Sequence, residues 1–208
     1  SSFTRLPAPD AGPAVQCAVR DEEPARRGFT GRVPRRYYEA VKRAPELVPL
    51  SWDHHHGLVL ARRISQEMGG GPEAMATLYG DLLAFWSAGL LPHFRVEGEC
   101  LLARLVRHVG ADAPEVQRVL DDHLGLAGLV ATMRDTDNDG VRRDALRRFG
   151  ERLHLHIRWE EDVLFQVAQD TLDADEMAAL GADIREYVPD VVPAPAGGLA
   201  TRPSATPS

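Results

Sequence analysis

Two His-x-x-x-Glu pairs, each set inside an apolar helical stripe, constrain this chain more than any other feature. His156 and Glu160 form one pair, in the stretch His156-Ile157-Arg158-Trp159-Glu160-Glu161-Asp162-Val163-Leu164-Phe165. His93 and Glu97 form the other, in His93-Phe94-Arg95-Val96-Glu97. Residues four apart share one helix face, one turn apart. Each pair therefore presents an imidazole and a carboxylate in the same direction. Two such helices facing each other enclose a pocket lined by nitrogen and oxygen, which is how metal sites are built between packed helices.

The surrounding pattern is helical throughout. Apolar residues at a period near 3.6 predict helices over 50–68, 73–108, 114–133 and 141–170, with a shorter one over 174–187. Gly69-Gly70-Gly71-Pro72 ends the first, and Gly110-Ala111-Asp112-Ala113-Pro114 separates the second from the third. Pro92 lies within the second and predicts either a kink just before His93 or a break into two helices. Asp173 is a candidate N-cap for the last. No strand pattern competes. Short connections make sequential helices antiparallel neighbours. The expected fold is therefore all-α: an up-down-up-down four-helix bundle, an added short C-terminal helix, and irregular extensions at both ends. Residues 1–45 read as an irregular N-terminal extension broken by repeated prolines, 46–188 as the bundle with its extra helix, and 189–208 as a flexible tail.

Asp135-Thr136-Asp137-Asn138-Asp139-Gly140 copies the opening of a calcium-binding loop. The position that needs a bidentate Glu is Leu146, so the stretch reads as a polar turn between helices.

Composition narrows the function classes. A net charge of −7 leaves no basic excess to neutralise phosphates, so a nucleic-acid partner is not expected. No apolar run approaches the length of about 20 residues that spans a bilayer, so no membrane partner is expected either. The first residues show neither the basic nor the apolar region of a secretory signal. Cys17 and Cys100 suit a reducing compartment better than a disulfide framework. The expectation is a soluble, cytoplasmic protein.

Taken together, the stripes gather one inward set: His54, His93, Glu97, His123, His156 and Glu160. His-x-x-x-Glu alone is a weak signal that chance often supplies. The context carries more weight. A carboxylate on a core face costs several kcal/mol unless it is paired or binds a metal, and two of them beside four imidazoles call for one common explanation. On the first helix, Asp53-His54-His55-His56 leaves three candidates. Periodicity favours His54, which shares a face with Leu58 and Ala61, whereas His55 and His56 share theirs with Arg62 and Arg63. His108 and His154 fall off the inner stripes, and Cys100 reads as a small core residue. Imidazole with carboxylate suits iron, zinc, copper or manganese. Six ligands exceed the about four that one zinc takes, which points to two metals sharing the carboxylates.

The pattern His, His-x-x-x-Glu, His, His-x-x-x-Glu over four helices resembles the hemerythrin-like, or HHE cation-binding, proteins. Asp53-His54, His93 to Glu97, Asp122-His123 and His156 to Glu161 with Leu164-Phe165 carry the likeness, over about residues 48–170. The resemblance implies a centre of two non-haem iron ions, oxo- or hydroxo-bridged, held by those six residues. It implies a protein that binds or senses O2, NO, peroxide, iron or redox state. A small diatomic or peroxide is then the expected ligand, and no protein partner is indicated. Hemerythrin proper has a second His one turn after the first on its third helix, and Ala127 stands there. It also has Asp as one bridge, where this chain has Glu. The chain is thus more similar to the six-ligand relatives than to the O2 carriers. Ferritin-like proteins need two Glu-x-x-His motifs, and only Glu151 to His154 fits, on the wrong face.

Three functions remain on these grounds. One is a binding or sensing protein, favoured because no nucleophile, phosphate loop or substrate domain is visible. The second is a di-iron enzyme turning over peroxide or NO. The third is a purely structural bundle in which His and Glu merely pair.

Overall fold

A computed structural model describes residues 43–187. Most of the expected N-terminal extension and the expected tail lie outside the described residues. What is described is all-α, with five helices and no strand. A short 3₁₀ turn, Pro45–Leu47, leads into α1, Val48–Glu67. Helix α2 runs over Pro72–Val109, and α3 over Pro114–Asp135. Helix α4 covers 139–171, and α5 is Ala174–Tyr187.

Local chemistry explains the boundaries. Pro72 and Pro114 open their helices where a missing N–H costs nothing. The Asn138 side chain accepts from the amides of Gly140 and Val141, so the calcium-like stretch serves as a helix cap. Asp173 Oδ1 accepts from the Glu176 amide at 2.9 Å, in the capping role expected of it.

Helix α2 neither breaks nor ends at Pro92. A wide π turn, Trp86–Leu90, precedes the proline, and the Leu91 amide bonds the Trp86 carbonyl. The wider turn accommodates the proline ring and the bond it cannot donate. Contrary to expectation, α2 is long and apolar enough, by length and composition, to cross a membrane. Leu78, Leu82, Phe85 and Leu90 on it are buried in the protein's own core, and 33% of its most apolar window is buried.

The core divides into two apolar clusters. Leu60, Ile64, Leu82, Trp86, Leu126 and Phe149 belong to the first. Leu50, Leu101, Val119, Leu164, Phe165 and Ile184 belong to the second. Helix α5 and the turn before α1 pack at the second, where Gly181 lies against Glu46. On α3 Val119 is buried, whereas its neighbour Leu120 is 42% exposed. Helices α1 and α4 approach closely because two glycines face side chains across the contact. A Cβ at Gly57 would meet Ile157 at 2.6 Å, and one at Gly150 would meet Ile64 at 2.8 Å.

Phe149 is fully buried, with the Trp86 ring edge-on at 6.1 Å. Phe149→Ala is expected to lower stability by about 3–5 kcal/mol, through lost transfer energy and the cavity left behind. Urea unfolding of the variant checks this.

Candidate metal centre

On every long helix the inward polar residues sit where one apolar cluster gives way to the other. Helix α1 passes from Leu50 through His54 to Leu60. Helix α2 passes from Leu90 through His93 and Glu97 to Leu101. Helix α3 passes from Val119 through His123 to Leu126, and α4 from Leu153 through His156 and Glu160 to Leu164. The six residues singled out from the sequence therefore come to one level of the protein.

Their geometry is close and shared. His93 Nε2 lies 3.2 Å from Glu97 Oε1, and His123 Nε2 lies 3.3 Å from Glu97 Oε2. Glu160 Oε2 lies 3.1 Å from His54 Nε2 and 3.3 Å from His156 Nε2. Two groups of four with metal-binding spacing result. One is His54, His93, Glu97 and Glu160; the other is Glu97, His123, His156 and Glu160. The two glutamates belong to both. Glu97 and Glu160 are 0% exposed, and His123 is the one member of the six that is not fully buried. Of the three histidines on α1, His54 points into the centre. His55 is exposed, and His56 is buried outside both groups. His108 and His154 are exposed, as expected.

The donor atoms themselves show what the centre fits. The four Nε2 atoms and all four carboxylate oxygens are buried without a hydrogen-bond partner. Each such atom costs about 1–3 kcal/mol when left unsatisfied. Eight of them converging on one place are the arrangement a bound cation satisfies.

Three of the outer nitrogens face carboxylates, two of them in hydrogen bonds. His54 Nδ1 lies 2.7 Å from Glu161 Oε1, and His93 Nδ1 lies 3.4 Å from Asp53 Oδ2. Asp122 Oδ2 stands 3.6 Å from His156 Nδ1. A carboxylate on Nδ1 fixes the ring and leaves Nε2 free to bind. These supports were missed in the sequence. Asp53 serves His93 and not its neighbour His54, and Asp122 faces His156 and not His123, at ion-pair distance without a hydrogen bond. Glu161, next in sequence to Glu160, turns back to His54. Ring stacking adds to this: Phe94 lies 3.7 Å from His123, and Phe165 lies 5.3 Å from His54.

Both shared glutamates begin a π turn, Glu97–Leu102 and Glu160–Leu164. Such turns recur at functional sites. In a wider turn successive side chains diverge less, which lets Glu160 and Glu161 both face α1. Nothing in local composition signals these turns.

The electrostatics follow from burial among opposite charges. Burial pushes the His93 imidazole down, but the Glu97 charge and the contacts with Asp53 and Glu97 outweigh it and raise it to about 9. Burial likewise opposes the rise of His54, which Glu160, Glu161 and Glu97 carry well above its ordinary value. Burial favours a protonated Glu97, yet His93, His123 and His54 hold it well below the usual carboxylate range. Protons on His54 and His93 thus stand in for a cation in the metal-free protein.

Beside the centre lies a cavity bordered by His54, His93, His156, Leu90, Leu153 and Ile157, with about 10 Å³ of room for the centre of a small molecule. That is space for one water-sized guest.

An all-α protein with a buried centre of four imidazoles and two shared carboxylates belongs to the helical metal-binding proteins. Residues 52–168, more than half of the chain, match the family model of the hemerythrin HHE cation-binding domain. The chain belongs to that family, whose domain binds metal. No curated protein and no solved structure matches the chain.

Proposed function

We propose that this protein holds two non-haem iron ions and uses them to bind or sense O2, NO or peroxide, or to report iron or redox state. The observation that carries the reading is the convergence of eight buried donor atoms without hydrogen-bond partners. The imidazoles and carboxylates approach to 3.1–3.3 Å, yet none of these contacts has hydrogen-bond geometry, so pairing alone leaves the eight atoms unsatisfied. His54 and His93 would hold one ion, His123 and His156 the other, and Glu97 and Glu160 would be shared. Iron there supplies redox chemistry and affinity for small ligands. The residues of the chain do the rest: Glu161, Asp53 and Asp122 orient imidazoles, and Leu90, Leu153 and Ile157 keep bulk water out.

The reading includes the up-down-up-down four-helix bundle. Helices α1 and α3 pass from the second apolar cluster to the first, and α2 and α4 pass the other way, as alternating directions require. The size of the cavity supports a ligand of two or three atoms over a larger substrate. A cytoplasmic location, and the absence of nucleic-acid and membrane partners, complete the proposal.

The test is the ultraviolet-visible spectrum of iron-loaded protein, prepared without oxygen, before and after O2, NO and peroxide. New charge-transfer bands with at least one of them are expected. No spectral change with any would overturn the proposal. Sustained consumption of peroxide or NO would make the protein an enzyme instead.

A further inference from the structure

We propose that Arg43 is a positioning residue for His54, tying the chain ahead of α1 to one half of the metal centre; this rests on the metal-binding reading above. His54 is held at its edge and at its face, and Arg43 touches both supports. At the edge, Glu161 divides its carboxylate. Oε1 takes the His54 Nδ1 contact at 2.7 Å, and Oε2 accepts from Arg43 Nη2. The same Nη2 also donates to the Glu161 backbone carbonyl at 2.7 Å. At the face, Phe165 stacks on the His54 imidazole with planes only 9° apart, and the Arg43 guanidinium lies 4.6 Å over the Phe165 ring. The backbone is pinned too, because the Ala44 amide donates to Gln169 Oε1 at 2.6 Å.

The other two supported imidazoles are held differently. Asp53, which supports His93, lies on α1. Asp122, which supports His156, is braced by Arg152 at 3.0 Å and by Arg118 at 3.8 Å, all from helices α3 and α4. Among the described residues, only the carboxylate behind His54 is braced by a side chain outside the five helices. A displacement of the backbone at Arg43 would free Glu161 and let the His54 ring turn. The effect would fall on the position shared by His54 and His93, and would spare the one held by His123 and His156. One Arg43 nitrogen reaches both the carbonyl and the carboxylate of Glu161 while the guanidinium carbon sits over the Phe165 ring; an ammonium keeps the charge but lacks the planar group that covers the ring.

The test compares wild type, Arg43→Ala and Arg43→Lys by two readouts. The first is titration with ferrous iron under anaerobic conditions, read as two binding steps. Arg43→Ala is expected to weaken one step by about 10–100-fold, the usual effect of removing a residue that orients a ligand. It should leave the other step unchanged, and Arg43→Lys should restore part of the loss. The second is the Nδ1–H resonance of His54 in metal-free protein, which should move upfield in Arg43→Ala as the bond to Glu161 loosens. The melting temperature of the metal-free variant is expected to fall by no more than about 4 °C, because the ion pair is partly exposed. Two unchanged binding steps with an unmoved His54 resonance would overturn the proposal. So would equal weakening of both steps alongside a large loss of melting temperature. A wild-type protein that takes up no iron, but whose His54 resonance still moves in Arg43→Ala, would overturn the metal reading and uphold the role of Arg43.

Discussion

Glu160→Gln is expected to cut bound iron from about two ions per chain to well under one, because the residue belongs to both groups of donors. The substitution preserves shape and removes one charge. An amide offers a single oxygen, and its NH2 would face the Nε2 atom of His54 or His156, each within 3.3 Å of Glu160 Oε2. Two positive ions would then lose a shared negative ligand and meet a donor that repels them. Glu97→Gln is expected to behave the same way, since its two oxygens face His93 and His123 on opposite sides. Removing a ligand used once should do less: His123→Ala weakens one position. His108→Ala touches neither group, and its iron content should equal that of wild type. Metal analysis after gel filtration, with circular dichroism to confirm helix content, checks the series.

Removing the metal is expected to lower the melting temperature by roughly 15–30 °C. A ligand that binds only the folded state stabilises it by about 4 kcal/mol at a thousandfold excess over its dissociation constant. Two ions make that about 8 kcal/mol, and each kcal/mol moves the midpoint by about 2–4 °C in a protein of this size. The structure supplies the reason the folded state gains so much. Without metal, Glu97 and Glu160 remain 0% exposed beside four imidazoles, with no hydrogen bonds on the converging atoms. Acid should act in the same direction as a chelator. Iron must displace the protons that His54 and His93 hold, and His93 is raised to about 9. Affinity therefore rises with pH up to that point. Calorimetry with and without chelator, at several pH values, measures both effects.

The fold was legible where periodicity and punctuation coincide. The shortest helix begins at Ala174, where it was expected to, because Asp173 caps it. The six inward residues were legible for the same reason: each falls on a stripe with Leu, Val or Phe on either side. Their supports were not. Asp53, Asp122 and Glu161 act across helix contacts, and spacing within one helix says nothing about which histidine lies opposite on another. The π turns at Glu97 and Glu160 were equally hidden, since a widened turn depends on packing around it. Of the two outcomes Pro92 allowed, a break into two helices did not occur, because the wide turn before it takes up the proline ring.

The most direct test of the account is an iron count. Protein produced in iron-replete medium and purified without oxygen is expected to carry about two irons per chain, matching two donor groups of four that share Glu97 and Glu160. Protein that stays folded and yet binds no iron, even when ferrous iron is added in excess, would contradict it.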